Sequence, residues 1–156
     1  MGASEKKAAR YDRVIAQLGP LLTATEDPIS RMATVSALLY HKMRHFSWIG
    51  FYRLVDGELL VGPYQGTLAC QNLARDVGVC WAGINRRETI VVPDVDAFPG
   101  HIACDSRSRS EIVVPVIDGA GEVAGVLDGD SERLAAFDAV DGEKLGAIAG
   151  MIYGAG

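Results

Sequence analysis

Three cysteines, Cys70, Cys80 and Cys104, and the carboxylates Glu111, Asp128 and Asp130 are where this sequence could do chemistry. No cysteine pair has the C-x-x-C spacing of a zinc ribbon or a thioredoxin-type site. His101 and Cys104 make a lone H-x-x-C, too little for a metal centre that needs three or four protein ligands, so no metal is expected. Burial as small hydrophobes is the ordinary fate of free cysteines, and for Cys80, inside Val-Gly-Val-Cys-Trp, it weighs as much as a functional role. Cys104 differs. It lies in a long irregular segment beside Asp105, Arg107 and Arg109, and cationic neighbours favour the thiolate, which is the nucleophile.

The carboxylates form a second group. In Val126-Leu-Asp-Gly-Asp130, strand alternation puts Asp128 and Asp130 on one face, and Glu111 opens the neighbouring hairpin strand. Acidic groups gathered on one face repel unless a cation intervenes or one keeps its proton. A solvated strand end competes here with a pocket for a cationic group, or with a carboxyl of raised pKa serving as general acid. Trp48 and Tyr52 share a strand face away from Phe51 and are positioned to wall such a pocket.

The elements that must hold these residues follow from periodicity. Tyr11, Val14, Ile15 and Leu18 predict an amphipathic helix over residues 5–18, ended by Gly19-Pro20. Asp27 as N-cap and Pro28 at the first helical position start a second helix that runs to about Met43. Aromatic and β-branched runs on either side of Asp56-Gly57 predict a hairpin. A short helix is expected around Val79 to Asn85, then a strand from Thr89 to Val95. The segment 96–109 reads as a functional loop. A second hairpin, Glu111 to Ile117 and Glu122 to Asp130, precedes a last helix from Asp138 to Ile152. Helices at both ends with meandering strands between them indicate an α+β domain, an antiparallel sheet covered by helices.

Length and composition agree with that. The chain has 156 residues, enough for one domain with a single core. Hydrophobic residues at 49% and charged residues at 22% exclude a disordered chain. A net charge of -5 with scattered Lys and Arg leaves no footprint for nucleic acid. An odd number of cysteines excludes a closed disulfide scaffold. No apolar run approaches the roughly 20 residues that span a bilayer, the polar start lacks a signal peptide's apolar stretch, and Lys6 breaks a myristoylation pattern. A cytoplasmic protein without membrane contact is expected, where disulfides are mostly transient and catalytic.

The run Phe98-Pro-Gly-His-Ile-Ala-Cys-Asp-Ser-Arg-Ser-Arg-Ser-Glu-Ile-Val-Val-Pro-Val116, with Gly125-Val-Leu-Asp-Gly-Asp-Ser131, resembles the signature of free methionine-(R)-sulfoxide reductases. Trp48-Ile-Gly-Phe-Tyr52, Gly62-Pro-Tyr-Gln-Gly66, Ala69-Cys70 and Gly78-Val-Cys80 match in the same order. The resemblance implies a GAF (PAS-like) fold occupying residues 1–156 as one domain, with residues 1–5 a disordered tail. It implies that Cys104 attacks the sulfoxide sulfur of the free amino acid and becomes a sulfenic acid. Cys70 is the first choice to resolve it as a disulfide and Cys80 the alternative, with thioredoxin as external reductant and no bound cofactor. Substrate-binding roles fall on Trp48, Tyr52, Glu111, Asp128 and Asp130, and a homodimer is implied. The competing class is a GAF domain that only senses a small molecule or redox state. Two departures stand out. Gly129 replaces a branched apolar residue, which predicts a looser strand, and Trp81 follows Cys80 where many members have Gly, which predicts altered access to that thiol.

Overall fold

A computed structural model describes residues 1–101 and 104–154, and these described residues form four helices and one antiparallel sheet. Ile102 and Ala103 of the H-I-A-C-D run lie outside the described residues. The elements in chain order are α1 (Ala3–Leu22), α2 (Pro28–Lys42), β1 (Trp48–Val55), β2 (Glu58–Gln65), β3 (Asn72–Leu73), α3 (Gly78–Arg86), β4 (Ile90–Val92), β5 (Ser110–Ile117), β6 (Val123–Ser131) and α4 (Ala139–Ala149). A single 3-10 turn at Val95–Ala97 follows β4. The sheet order is β3-β2-β1-β6-β5-β4. None of the described helices is long and apolar enough to cross a membrane.

Local chemistry explains most boundaries. The Asp27 carboxylate accepts from the Ser30 N–H at 2.8 Å, and Pro28 occupies a position whose N–H would be unpaired anyway. Asp56 and Gly57 both take positive φ (50° and 80°), the left-handed pair that a two-residue hairpin turn requires. Asp138 and Asp141 form a reciprocal capping box that starts α4.

Some boundaries differ from the sequence reading. The tail expected over residues 1–5 is helical from Ala3, and α1 continues through Pro20 to Leu22. Proline removes one hydrogen bond near a helix end, and burial of Leu22 in the core holds the last turn in register. β3 was not foreseen; two residues are too few for a periodic signal. The strand expected over Thr89–Val95 shrinks to Ile90–Val92, because Pro93 has no N–H to continue a ladder. α4 stops at Ala149 rather than Ile152, although Ile152 is fully buried in the core.

The sheet separates two cores. One face packs against α1, α2 and α4, with Tyr11, Leu18, Leu39, Phe51, Ile112, Leu127 and Leu145 at its centre. The other face, holding Trp48, Tyr52, Val113 and Val126, packs against α3 and the irregular segments. A Cβ on Gly83 would stand 2.7 Å from Val113 Cγ1, so this glycine lets α3 lie close against β5.

Gly129 does not loosen β6. The Phe46 ring occupies the space instead, and a Cβ there would stand 2.7 Å from Phe46 Cε1 and 3.3 Å from Ile112 Cγ2. Phe46 in turn stacks on Phe137 at 5.6 Å, which carries the packing on toward α4.

On the same side Asp141, fully buried, joins the two terminal helices. It accepts from Tyr11 Oη (2.6 Å), Lys7 Nζ (2.7 Å) and the Asp138 N–H (2.9 Å), and lies 2.7 Å from His45 Nε2. Burial alone would raise its pKa, but the hydrogen bonds from His45, Lys7 and Tyr11 outweigh it and hold the carboxyl well below the usual range.

Gly129→Val should cost about 1–3 kcal/mol in urea unfolding, because Phe46 must leave its place. Asp141→Asn should cost about 3 kcal/mol at pH 7 by removing one partner of a buried pair. Because the folded pKa is depressed, this contribution is complete above the ordinary carboxylate pKa and lost as pH falls toward the folded value. The gap between Asn variant and wild type should therefore narrow at pH 3.

Candidate active site

The second core opens into a cleft of about 610 Å³, counting its mouth. Its lining includes Trp48, Tyr52, Cys80, His101, Cys104, Glu111, Asp128 and Asp130. Of the eight residues singled out from the sequence, seven line this cleft. The eighth, Cys70, reaches its mouth through a disulfide to Cys104, with a Cα–Cα distance of 5.7 Å.

Register assembles the carboxyl groups. β5 and β6 pair so that Glu111 lies opposite Asp130 and Val113 opposite Asp128. β1 pairs with the other edge of β6, bringing Trp48 opposite Asp130. Glu111 and Asp128 are about 5% exposed, and Asp130 is half-buried beside them. Burial pushes the Glu111 carboxyl up to about 8, with the Asp130 charge adding to the effect. Asp128 and Asp130 are raised as well, first by burial and then by the neighbouring carboxylate charge. At neutral pH the cluster therefore holds protons, and a carboxyl that keeps its proton can donate it. Asp128 Oδ1 is buried without a hydrogen-bond partner, and it belongs to a residue that lines the cleft.

The aromatic wall does mechanical work. Trp48 stacks between Tyr52 (5.9 Å) and Tyr64 (5.1 Å). Its Nε1 donates to the Thr67 carbonyl at 3.1 Å, and the Tyr52 hydroxyl donates to the Cys70 carbonyl at 3.2 Å. These two bonds pin the segment between Thr67 and Cys70, so the wall also positions one cysteine. Thr67 Oγ1 donates to Asp105 Oδ2 at 3.0 Å, joining that segment to the Cys104 loop from the other side.

Cys80 is buried on α3, and burial followed by the charges of Asp128 and Glu111 raises its thiol well above the ordinary value. It is a protonated thiol, whereas Cys70 and Cys104 at the mouth are joined to each other as a disulfide. Trp81 does not guard it. The indole turns to the edge of the sheet, where Nε1 donates to the Leu73 carbonyl at 3.1 Å, and it does not line the cleft.

Arg107 is committed elsewhere, in ion pairs with Asp105 (3.3 Å) and Glu132 (3.5 Å), so its charge is largely answered before it reaches Cys104. The sequence reading missed His101 and Ser108 as cleft residues, although both stand inside the motif run. His101 Nε2 lies 3.7 Å from Glu111 Oε1, and burial lowers its pKa and favours the neutral ring. Ser108 Oγ approaches Asp130 Oδ1 at 3.5 Å.

No protein-family model matches the sequence. It is 42% identical to GAF domain-containing protein A of Dictyostelium discoideum, over 91% of this chain and 89% of that one. It is 40% identical to free methionine-R-sulfoxide reductase of Saccharomyces cerevisiae, over 80% of this chain and 73% of that one. Among solved structures, free methionine-R-sulfoxide reductase of Neisseria meningitidis in complex with its substrate superposes with a TM-score of 0.88 at 43% identity, covering 94% of this chain and 88% of that one. The fold shared with these proteins is the GAF fold.

A raised folded pKa has a definite sign. Glu111 contributes most below the ordinary carboxylate range, and that contribution is lost as pH rises toward about 8. Thermal melting at pH 5, 6.5 and 8 should show the wild type losing Tm with pH more steeply than Glu111→Gln. Parallel curves would contradict the buried, protonated assignment.

Proposed function

The chain belongs to the family of free methionine-R-sulfoxide reductases, oxidoreductases on the GAF fold, and on that premise we propose that it reduces free L-methionine-(R)-sulfoxide to L-methionine. The observation that carries the reading is the Cys70–Cys104 disulfide at the mouth of a cleft floored by three carboxyl groups. The Neisseria relative, 43% identical, was solved with its substrate bound, which supports a substrate of the same kind here.

The chemistry follows from the parts. In the reduced protein, the Cys104 thiolate attacks the sulfoxide sulfur while a protonated carboxyl of the Glu111–Asp128–Asp130 group donates to the sulfoxide oxygen. In the adduct the oxygen passes from the substrate sulfur to the Cys104 sulfur: the substrate S–O bond and the transient S–S bond break, a Cys104 S–O bond forms, methionine leaves, and Cys104 is left as a sulfenic acid. The Cys70 thiol then attacks the Cys104 sulfur, water departs, and the disulfide forms. The balance is one sulfoxide and two thiols giving one thioether, one disulfide and one water. A thioredoxin-type dithiol restores both thiols by exchange at the exposed Cys104 side. Cys80, buried and protonated, takes no part when Cys70 resolves Cys104, and is otherwise the alternative partner.

An ionised carboxylate of the same group holds the substrate ammonium, and the Trp48–Tyr52 wall takes the S-methyl end. A methionine residue within a chain has an uncharged amide nitrogen in that place, which disfavours it in a desolvated acidic cleft. No bound cofactor is required by this scheme. A homodimer and a reducing, cytoplasmic setting complete the proposal. The family resemblance supports the dimer, and cysteines that cycle between thiol and disulfide suit such a compartment.

The test separates the two cysteines. With free R-sulfoxide and a thioredoxin system, Cys104→Ser should release no methionine. Cys70→Ser should release about one equivalent per site before stalling. Equal turnover by the Cys104 variant would sink the assignment, and tight sulfoxide binding without turnover by wild type would leave a ligand-binding GAF domain instead.

A further inference from the structure

Cys80, Glu111 and Asp128 converge from three different elements, α3, β5 and β6, with one ligand atom from each lying within 4.8 Å of the others. All three residues are more than nine-tenths buried. The reductase cycle leaves Cys80 unused. Asp128 Oδ1 adds a separate observation, since it is buried with no hydrogen-bond partner. An acceptor left bare in a desolvated site is unfavourable unless something of positive character meets it.

We propose that the thiolate of Cys80 and the carboxylates of Glu111 and Asp128 form a binding site for a borderline-soft divalent cation of the zinc class, which occupies the floor of the substrate cleft and excludes the substrate. The donor set selects the ion. One sulfur and two oxygens suit zinc or cobalt, whereas calcium and magnesium take oxygen ligands and higher coordination. Three protein ligands around an open cleft leave the fourth tetrahedral position to water. The ion takes the place of the thiol and carboxyl protons, which pass to solvent, and no oxidation state changes. It is an inhibitory occupant, outside the reaction itself.

His101 and Asp130 border the floor without belonging to the three. His101 Nε2 is 3.7 Å from Glu111 Oε1, close enough to orient that carboxylate once it is ionised. The lone H-x-x-C of His101 and Cys104 is by itself too little for a metal centre. The folded chain brings together a different set, whose members are 31 and 17 residues apart along the sequence.

The disulfide makes a clean experiment available. In oxidised protein Cys70 and Cys104 are tied to each other, so Cys80 is the one remaining thiol of the chain's three cysteines. Cobalt(II) titrated into the oxidised protein should bind one equivalent with a near-ultraviolet thiolate-to-cobalt charge-transfer band, and zinc should displace it. Cys80→Ser should abolish the band, and Asp128→Asn or Glu111→Gln should keep it with affinity reduced about tenfold or more. A folded wild type that binds cobalt without the band, or not at all, overturns the site. So does a band unaffected by both carboxyl variants. The wild-type titration needs no variant and no turnover, so its failure leaves the proposed reductase function untouched. Loss of turnover would likewise leave the metal site standing.

Discussion

Three carboxyl groups share one face of the sheet, and the β5–β6 register sets Glu111 directly opposite Asp130. Like charges across a ladder repel, and burial makes each charge dearer still. The arrangement persists by keeping protons on the cluster, which is also the state that can donate one. The same desolvation that raises these carboxyl groups raises the Cys80 thiol beside them. Acid strength, substrate charge and the fate of the third cysteine thus descend from one act of burial.

That burden falls on a sheet whose opposite face is built for stability. Tyr11, Leu39, Phe51 and Leu127 fill a core between the strands and the α1, α2 and α4 helices. Asp141 ties α1 to the start of α4 through four hydrogen-bonding partners. Here a carboxylate is also fully buried, yet its pKa falls instead of rising. The difference lies in the partners: a lysine, a histidine, a tyrosine and a backbone N–H around Asp141, other acids around Glu111. One chain therefore carries two buried acidic centres with opposite protonation, one structural and one chemical.

The aromatic wall links these roles in the cleft. Trp48 and Tyr52 use their polar tips to hold the segment from Thr67 to Cys70, so packing and cysteine placement are one interaction. Gly83 contributes by omission, since only a bare Cα lets α3 come near enough to β5 to lower Cys80 among the carboxyl groups.

Strand alternation alone put Asp128 and Asp130 on one face and Trp48 and Tyr52 on another strand's matching face, because a period of two leaves no choice of side. Capping chemistry at Asp27 and Asp138 and the Asp56-Gly57 turn were equally legible, being local hydrogen bonds and dihedral preferences. The motif run carried the family, and with it Cys70 as first choice and Cys80 as alternative partner for Cys104; the fold joins Cys104 to Cys70. What local rules do not contain is which distant groups meet. That Phe46 replaces the side chain missing at Gly129, that Trp81 turns away from Cys80, that Arg107 is answered by Asp105 and Glu132, and that Cys80 joins Glu111 and Asp128 all depend on contacts between elements. The sequence by itself determined the elements, the faces and the reactive types. Tertiary structure decided their protonation and their neighbours, because desolvation and Coulomb interaction act through space and have no period along the chain.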